Sequence, residues 1–253
     1  NASQQKAIDV MTTHQGYGCF VLAGVTGSGK TAVYCEMIDR VLKSGRQALM
    51  LVPEIGLTPQ TVQRFQAQLP VELAVMHSRL SESQRAVIWD RVARQSIDLV
   101  IGTRSALFLP FFDLGVVILD EEHDSAYNQQ SGIRYGAREM AVLRAKQSNG
   151  KCILGSATPS LESLHNVAMG KYHLLSMPDR VNHYAMPTIQ LVDLRALPKQ
   201  QGLAPQTCEV IKETIANQRQ VLCFLNRRSF SPVLFCHQCG WGAKCVDCDV
   251  TLH

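Results

Sequence analysis

The sequence contains no apolar run approaching the roughly 20 residues that cross a bilayer, and no secretory leader pattern opens it. No membrane partner is expected. Charge of one sign is scarce as well: 25 Lys and Arg against 21 Asp and Glu leave a formal net charge of +4. That balance permits a nucleic-acid partner without demanding one. Internal repeats and low-complexity segments are absent. With 46% hydrophobic and 18% charged residues, the composition is that of a soluble globular protein with a real core. The nine cysteines lack the even count and spacing of a disulfide framework. Cys19, Cys35, Cys152, Cys208 and Cys223 are scattered, mostly within apolar surroundings, and read as small buried hydrophobes. This usage fits a reducing, cytoplasmic setting, where paired C-x2-C units usually mean metal. A starting Met is also missing, and the chain stops inside a cysteine motif, which reads as a fragment.

What is present is alternation. The short apolar runs "CFVLAG", "ALMLVP", "LAVMH", "DLVIGT", "GVVILDEEH" and "KCILGSATP" predict strands buried on both faces. Between them lie amphipathic helix candidates. "TAVYCEMIDRVLKSG" ends on Gly45, a C-cap residue. "SESQRAVIWDRVARQ" opens with Ser81 and Gln84 at capping-box spacing, and "GAREMAVLRAKQ" is a third. Such alternation predicts a parallel, doubly wound α/β sheet. The boundaries give an α/β domain over 1–171, an irregular, Pro-rich linker over 172–202, the opening of a second α/β domain over 203–235 and a cysteine region over 236–253.

"GVTGSGKT", Gly24 to Thr31, matches G-x-x-x-x-G-K-[ST] between a strand-like run and a strong helix. Gly27 and Gly29, with Ser28 between them, let the backbone approach phosphates, and the N–H groups of the loop and helix start face the anion. Lys30 reaches the β- and γ-phosphates and the Thr31 hydroxyl ligates Mg²⁺, which together imply ATP. Further on, "VVILDEEH" is an apolar strand ending in carboxylates. A strand terminating beside the phosphate loop places Asp120 on the Mg²⁺ shell and Glu121 where a base can activate the attacking water. Glu122 and His123 have weaker claims, and a lone His123 more often caps or supports than catalyses.

Taken together, these residues resemble superfamily 2 helicases of the DExH type, and one branch closely: the primosomal replication-restart helicases. "NASQQ", "LVPEIGLTPQ", "HSRLS", "GTRSALFLP", "DEEHDSAYNQQ", "LGSATPSLE" and "FLNRRSFSP" follow in that family's order, and the cysteine pairs sit where it inserts a zinc region. The resemblance covers essentially the whole chain. It implies a RecA-like P-loop NTPase lobe followed by the start of a second RecA-like lobe. It further implies an ATP-driven DNA helicase of 3′-to-5′ polarity acting at stalled replication forks. Single-stranded and forked DNA, other primosome proteins and the single-stranded-DNA-binding protein are the implied partners. Gln4 is the implied adenine contact. In that family the segment after the DEEH box is an aromatic-rich loop that couples single-strand binding to hydrolysis; the matching segment here has Tyr127 and Tyr135, with Ile133 where a large aromatic is the rule. Base stacking is the physical reason for such a loop, and plain core or surface tyrosines are the alternative. Ser156 and Thr158 of "GSATP" are implied relays. Thr58, Thr103 and Arg104, on loops leaving the same sheet edge, offer phosphate contacts, with an internal salt bridge as the alternative for Arg104. Arg227 lies in the next helicase motif, where Ser229 replaces the usual Gly.

Cys236/Cys239 and Cys245/Cys248 are each a zinc knuckle, and a structural Zn²⁺ site needs four ligands. Their five-residue separation leaves open a single, cramped site made of all four thiolates. The resemblance instead completes each knuckle with a further pair, which makes the site here unfinished; His237 and His253 read as neighbours. It also assigns γ-phosphate arginines to the second lobe, so this chain alone is expected to bind nucleotide weakly and hydrolyse it poorly. Two other readings stand beside the restart helicase. A different superfamily 2 translocase is disfavoured by the cysteine insertion. A non-catalytic zinc-bearing DNA-binding or primosome scaffold has no need for the complete set of Lys30, Thr31, Asp120 and Glu121.

Overall fold

The computed structural model describes residues 1–69, 71–129, 132–180, 188–193 and 203–224. The chain divides into two compact units, Asn1–Ala185 and Met186–His253. In chain order the first unit runs α1 (Ala2–Thr13), β1 (Gly18–Gly24), α2 (Lys30–Lys43), β2 (Gln47–Leu51), α3 (Pro59–Gln68), β3 (Leu73–Met76), α4 (Glu82–Ala93) and β4 (Leu99–Gly102). It continues with β5 (Leu114–Asp120), β6 (Asn128–Gln129), β7 (Tyr135–Gly136), α5 (Ala137–Gln147), β8 (Lys151–Ser156), α6 (Leu161–Ala168) and β9 (His173–Met177).

Seven of these strands form one sheet in the order β3-β4-β2-β5-β8-β1-β9, and every pairing is parallel. The sequence dictates this. A parallel sheet needs helices on both faces, so its strands must be apolar throughout. β5 reads Leu-Gly-Val-Val-Ile-Leu before Asp120, and all six of those residues are buried. One face packs Phe20, Leu22, Met50 and Ile118 against Met11 of α1, Tyr34 and Ile38 of α2 and Phe65 of α3. The other packs Val21, Val117, Leu119 and Cys152 against Val92 of α4 and a stripe of Ala137, Ala141 and Ala145 on α5. Those alanines recur every four residues, so one face of α5 is smooth enough to lie close on the sheet.

The six expected strands and three expected helices are all present. Gly45 follows α2 at φ +77°, the left-handed conformation that ends helices, and Ser81 and Gln84 form the capping box of α4. One expectation is corrected. The segment expected to be a linker from Tyr172 opens with β9, which pairs with β1 through Phe20↔His173 and Gly24↔Met177. A short edge strand inside Pro-rich text carries too weak a period-2 signal to be seen in advance. In the second unit α7 (Pro205–Ala216) forms as expected. Residues 219–224, which follow it, lie in no ladder, and Leu222 and Phe224 are exposed. Arg227, Ser229, Cys236, Cys239, Cys245 and Cys248 lie outside the described residues.

Gly155 of β8 makes room for α2: a Cβ there would collide with the Tyr34 hydroxyl. Gly155→Ala should therefore destabilise the first unit by about 2–3 kcal/mol, read as a lowered urea midpoint.

Candidate nucleotide site and adjoining groove

The parallel sheet brings the carboxyl ends of its strands to one edge, where α/β folds bind ligands. β1 delivers the loop Gly24–Gly29, and α2 begins at Lys30. Gly29 caps that helix at φ +84° and Gly27 sits at φ +82°, conformations that a side chain would strain. A Cβ on Gly27 would meet nothing within 4 Å, so the loop opens onto free space. That space is a cavity of about 420 Å³ lined by Thr26 to Thr31, Arg64, Asp120 and Glu121. The residues fit a triphosphate with Mg²⁺. The first turn of α2 offers N–H groups, and the buried Ser28 Oγ lacks a partner. Lys30 Nζ donates to Gly24 O at 2.9 Å, a neutral acceptor that an anionic phosphate would outcompete. No group of three or more His, Cys, Asp or Glu side chains able to hold a metal exists among the described residues. Mg²⁺ does not need one, since it binds through one or two carboxylates plus phosphate oxygens and water.

Asp120 ends β5, one strand removed from β1 across β8. Two phenols fix it. Tyr34 Oη donates to Asp120 Oδ1 at 2.9 Å, and Tyr127 Oη donates to the Asp120 carbonyl at 2.7 Å. Burial, and then the Asp120 charge, push both phenols well above their usual range, so both stay protonated donors.

The next three residues part company. Glu121 turns at φ +49°, a left-handed conformation that costs a non-glycine residue roughly 1–2 kcal/mol. The turn is held by the Asp124 N–H on Glu121 O at 2.8 Å and the Glu122 N–H on Gly155 O at 3.0 Å. It keeps Glu121 in the cavity wall beside Asp120. Glu122 points inward with its side chain 0% exposed. It accepts from the Ser160 N–H at 2.7 Å, from the Ser160 and Ser163 hydroxyls at 3.1 Å each, and from Arg138 Nη1 at 3.2 Å. Glu122 is thus the structural anchor that binds the start of α6 and Arg138 of α5 to the end of β5. His123 Nδ1 lies 2.7 Å from Ser156 Oγ and 3.7 Å from Glu121 Oε2. Ser156 Oγ in turn accepts from the Thr158 N–H at 2.9 Å, so DEEH and GSATP are physically joined.

A second cavity, about 690 Å³, lies along the same edge and is lined by Pro53, Glu54, Thr103, Arg104, Ile133 and Tyr135 among others. Arg104 Nη1 donates to the carbonyls of Ala126 at 3.0 Å and Asn128 at 3.1 Å. Among the described residues Arg104 forms no internal salt bridge, the alternative weighed for it; the guanidinium clamps the base of the loop whose feet are β6 and β7. Tyr127 is 2% exposed, so no base can stack on it. Its ring is core, and its hydroxyl props Asp120. Tyr135 is half-buried and meets Phe108 edge-on at 5.1 Å, while Ile133 projects into the groove at 88% exposure. Thr103 is buried in the groove wall. Thr58 caps α3, its hydroxyl oxygen accepting from the Thr61 N–H at 3.2 Å, and does not line the groove. Gln4 reaches the phosphate loop, donating from Nε2 to Ser28 O at 3.1 Å. Sequence reasoning overlooked Tyr34 and Arg138, since each matters through a partner distant in the chain, and Arg64, which belongs to no recognised motif.

A phosphate loop on β1, an acidic turn on β5 and the hydrogen-bonded Ser156 at the end of β8 are the arrangement of a RecA-type lobe. The DEAD/DEAH box helicase model matches residues 1–167, and the chain belongs to that family. Within it, the chain is similar to replication restart protein PriA. Identity is 49% over 249 residues with PriA of Haemophilus influenzae, covering 98% of this chain and 34% of that protein. With PriA of Bacillus subtilis it is 44% over 236 residues, 92% of this chain and 29% of that one. The chain thus spans about a third of the length of these relatives. The fold alone is shared with RecG bound to a three-way DNA junction (TM-score 0.54, 20% identity, 86% of this chain and 28% of that one). It is shared likewise with the helicase MrfA (TM-score 0.55, 19% identity, 89% of this chain and 36% of that one).

Two outcomes test this geometry. Glu122→Ala strips Arg138 of its buried partner and should cost about 3–5 kcal/mol, measured by urea unfolding. The unfolded chain releases phenol protons near pH 10, whereas the folded unit retains those of Tyr34 and Tyr127. Stability from this source is therefore complete below about pH 10 and falls as pH rises beyond it. Tyr34→Phe should flatten that alkaline fall in a series of urea midpoints.

Proposed function

We propose that the chain is the ATP-binding lobe, with the opening of a second lobe over 203–235, of a DNA helicase that moves 3′ to 5′ and restarts stalled replication forks. The observation that carries this reading is that Lys30, Thr31, Asp120 and Glu121, drawn from two motifs, line one cavity. In the mechanism, Lys30 leaves Gly24 O for the β- and γ-phosphates of ATP. Thr31 and Asp120 would hold Mg²⁺, which supplies charge neutralisation on the transferring phosphoryl group. Glu121 takes the proton of the attacking water, its orientation set by the left-handed turn. His123 and Ser156 carry the state of Glu121 into the GSATP segment. Thr103, Arg104 and Tyr135 line the path for single-stranded DNA, and Arg104 and Tyr127 connect that path to Asp120.

Similarity to PriA further supports forked DNA, primosome proteins and single-stranded-DNA-binding protein as partners, in the cytoplasm. No helix among the described residues is long and apolar enough to cross a membrane. Zn²⁺ binding by Cys236, Cys239, Cys245 and Cys248 rests on the spacing of the two C-x2-C pairs.

ATP hydrolysis with and without single-stranded DNA, on this chain and on one extended through a whole second lobe, tests the reading. Strong DNA-stimulated turnover is expected in the extended chain, with Lys30→Ala abolishing it. Glu121→Gln should abolish turnover and spare nucleotide binding. Turnover in neither chain would leave a non-catalytic scaffold.

A further inference from the structure

Arg64 belongs to no motif, yet its position is distinctive. It lines the 420 Å³ phosphate-loop cavity and also an adjoining one of about 380 Å³, and both of these include Thr31, Asp120 and Glu121. The backbone that carries it is fixed on both sides. Thr58 caps α3, Pro59 starts it, and the adjacent Phe65 is 1% exposed in the core. The side chain is the opposite: among the described residues it has neither a hydrogen bond nor an ion pair. The groove arginines differ, since Arg85 donates to Ser78 O and Arg104 to two carbonyls. Lys30, the other cation of the phosphate cavity, is also engaged. The Arg64 charge is felt by Cys35, whose thiol is pushed up to about 11 by burial and pulled partly back by the guanidinium. Cys35 sits one turn beyond Thr31 on the same face of α2, so the charge stands beside the start of that helix.

A free guanidinium on a fixed backbone, facing a cavity built for an anion, is a phosphate-binding group in waiting. We propose that Arg64 binds the terminal phosphate of the nucleoside triphosphate from the same lobe as the phosphate loop, and so makes this lobe distinguish triphosphate from diphosphate. The inference rests on reading the phosphate-loop cavity as the nucleotide site. Arg64 is then a specificity residue that acts before any second lobe closes.

The test is binding, not turnover. A fluorescent diphosphate and a fluorescent non-hydrolysable triphosphate analogue are titrated, with Mg²⁺, onto the 253-residue chain. The proteins compared are the unaltered chain, Arg64→Ala, Arg64→Lys and Lys30→Ala. Arg64→Ala should weaken the triphosphate analogue about tenfold or more and the diphosphate less than about twofold. Arg64→Lys should recover part of the loss, keeping the charge without the planar fork. The melting temperature should hold, because the side chain is exposed and unpaired; if Arg64→Ala lowers it, Arg64→Gln retains the stem and repeats the comparison. Equal weakening of both nucleotides, or of neither, overturns the role of Arg64 while the site stands. Failure of the unaltered chain to bind either nucleotide, with Lys30→Ala identical to it, overturns the nucleotide-site reading and the inference with it.

Discussion

Asp120 is gripped from two directions, by one phenol on its carboxylate and by another on its carbonyl. The first phenol comes from the helix that follows the phosphate loop, and the second from the loop that borders the groove. A buried hydrogen bond to a charged group is worth about 1.5–3 kcal/mol and is directional, so the carboxylate cannot drift. Gly155 leaves the space that Tyr34 needs, and the β5–β8 register pairs Gly155 with Asp120 itself. Phosphate loop, acidic turn and groove therefore share one reference point.

Beyond that point the chain sorts three consecutive carboxylates into two environments. Asp120 and Glu121 line a solvent-open cavity, whereas Glu122 is buried and saturated by four donors. The sorting is achieved by a single left-handed residue, Glu121. Without that turn, regular strand alternation would send Asp120 and Glu121 to opposite faces of the sheet. The strain is local, and the backbone bonds of Glu122 and Asp124 offset it.

Much of this was legible in the sequence, for physical reasons. Six strands show because full burial demands unbroken apolar runs, and the phosphate loop shows because close approach to an anion demands glycines and a lysine at fixed spacing. Asp120 and Glu121 show because they interrupt such a run with charge. Tyr34 did not show: its partner is 86 residues away, and one tyrosine on an apolar helix face looks like any other core ring. Glu122 was underrated for a related reason, since its partners come from α5 and α6. Tyr127 misled because a family-level role in stacking says nothing of burial, and Thr58 because a hydroxyl before a Pro reads equally as a contact or a cap. β9 was missed because an edge strand need not be apolar throughout.

The order of strands also has a consequence in time. β1 is the earliest strand in the chain, yet its two neighbours in the sheet are the last, β8 and β9. Its first ladder partner is Lys151, and its pairing with β8 is complete only at residue 156. At synthesis rates of about 5–20 residues per second, that is a delay on the order of ten seconds. Throughout it, the apolar "CFVLAG" segment is unpaired, and closure of so long a loop is slow. The phosphate loop is thus encoded first and completed near the end. The loop that β1 delivers therefore reaches its place beside Asp120 only after β5 and β8 have been made, and not when its own segment has folded.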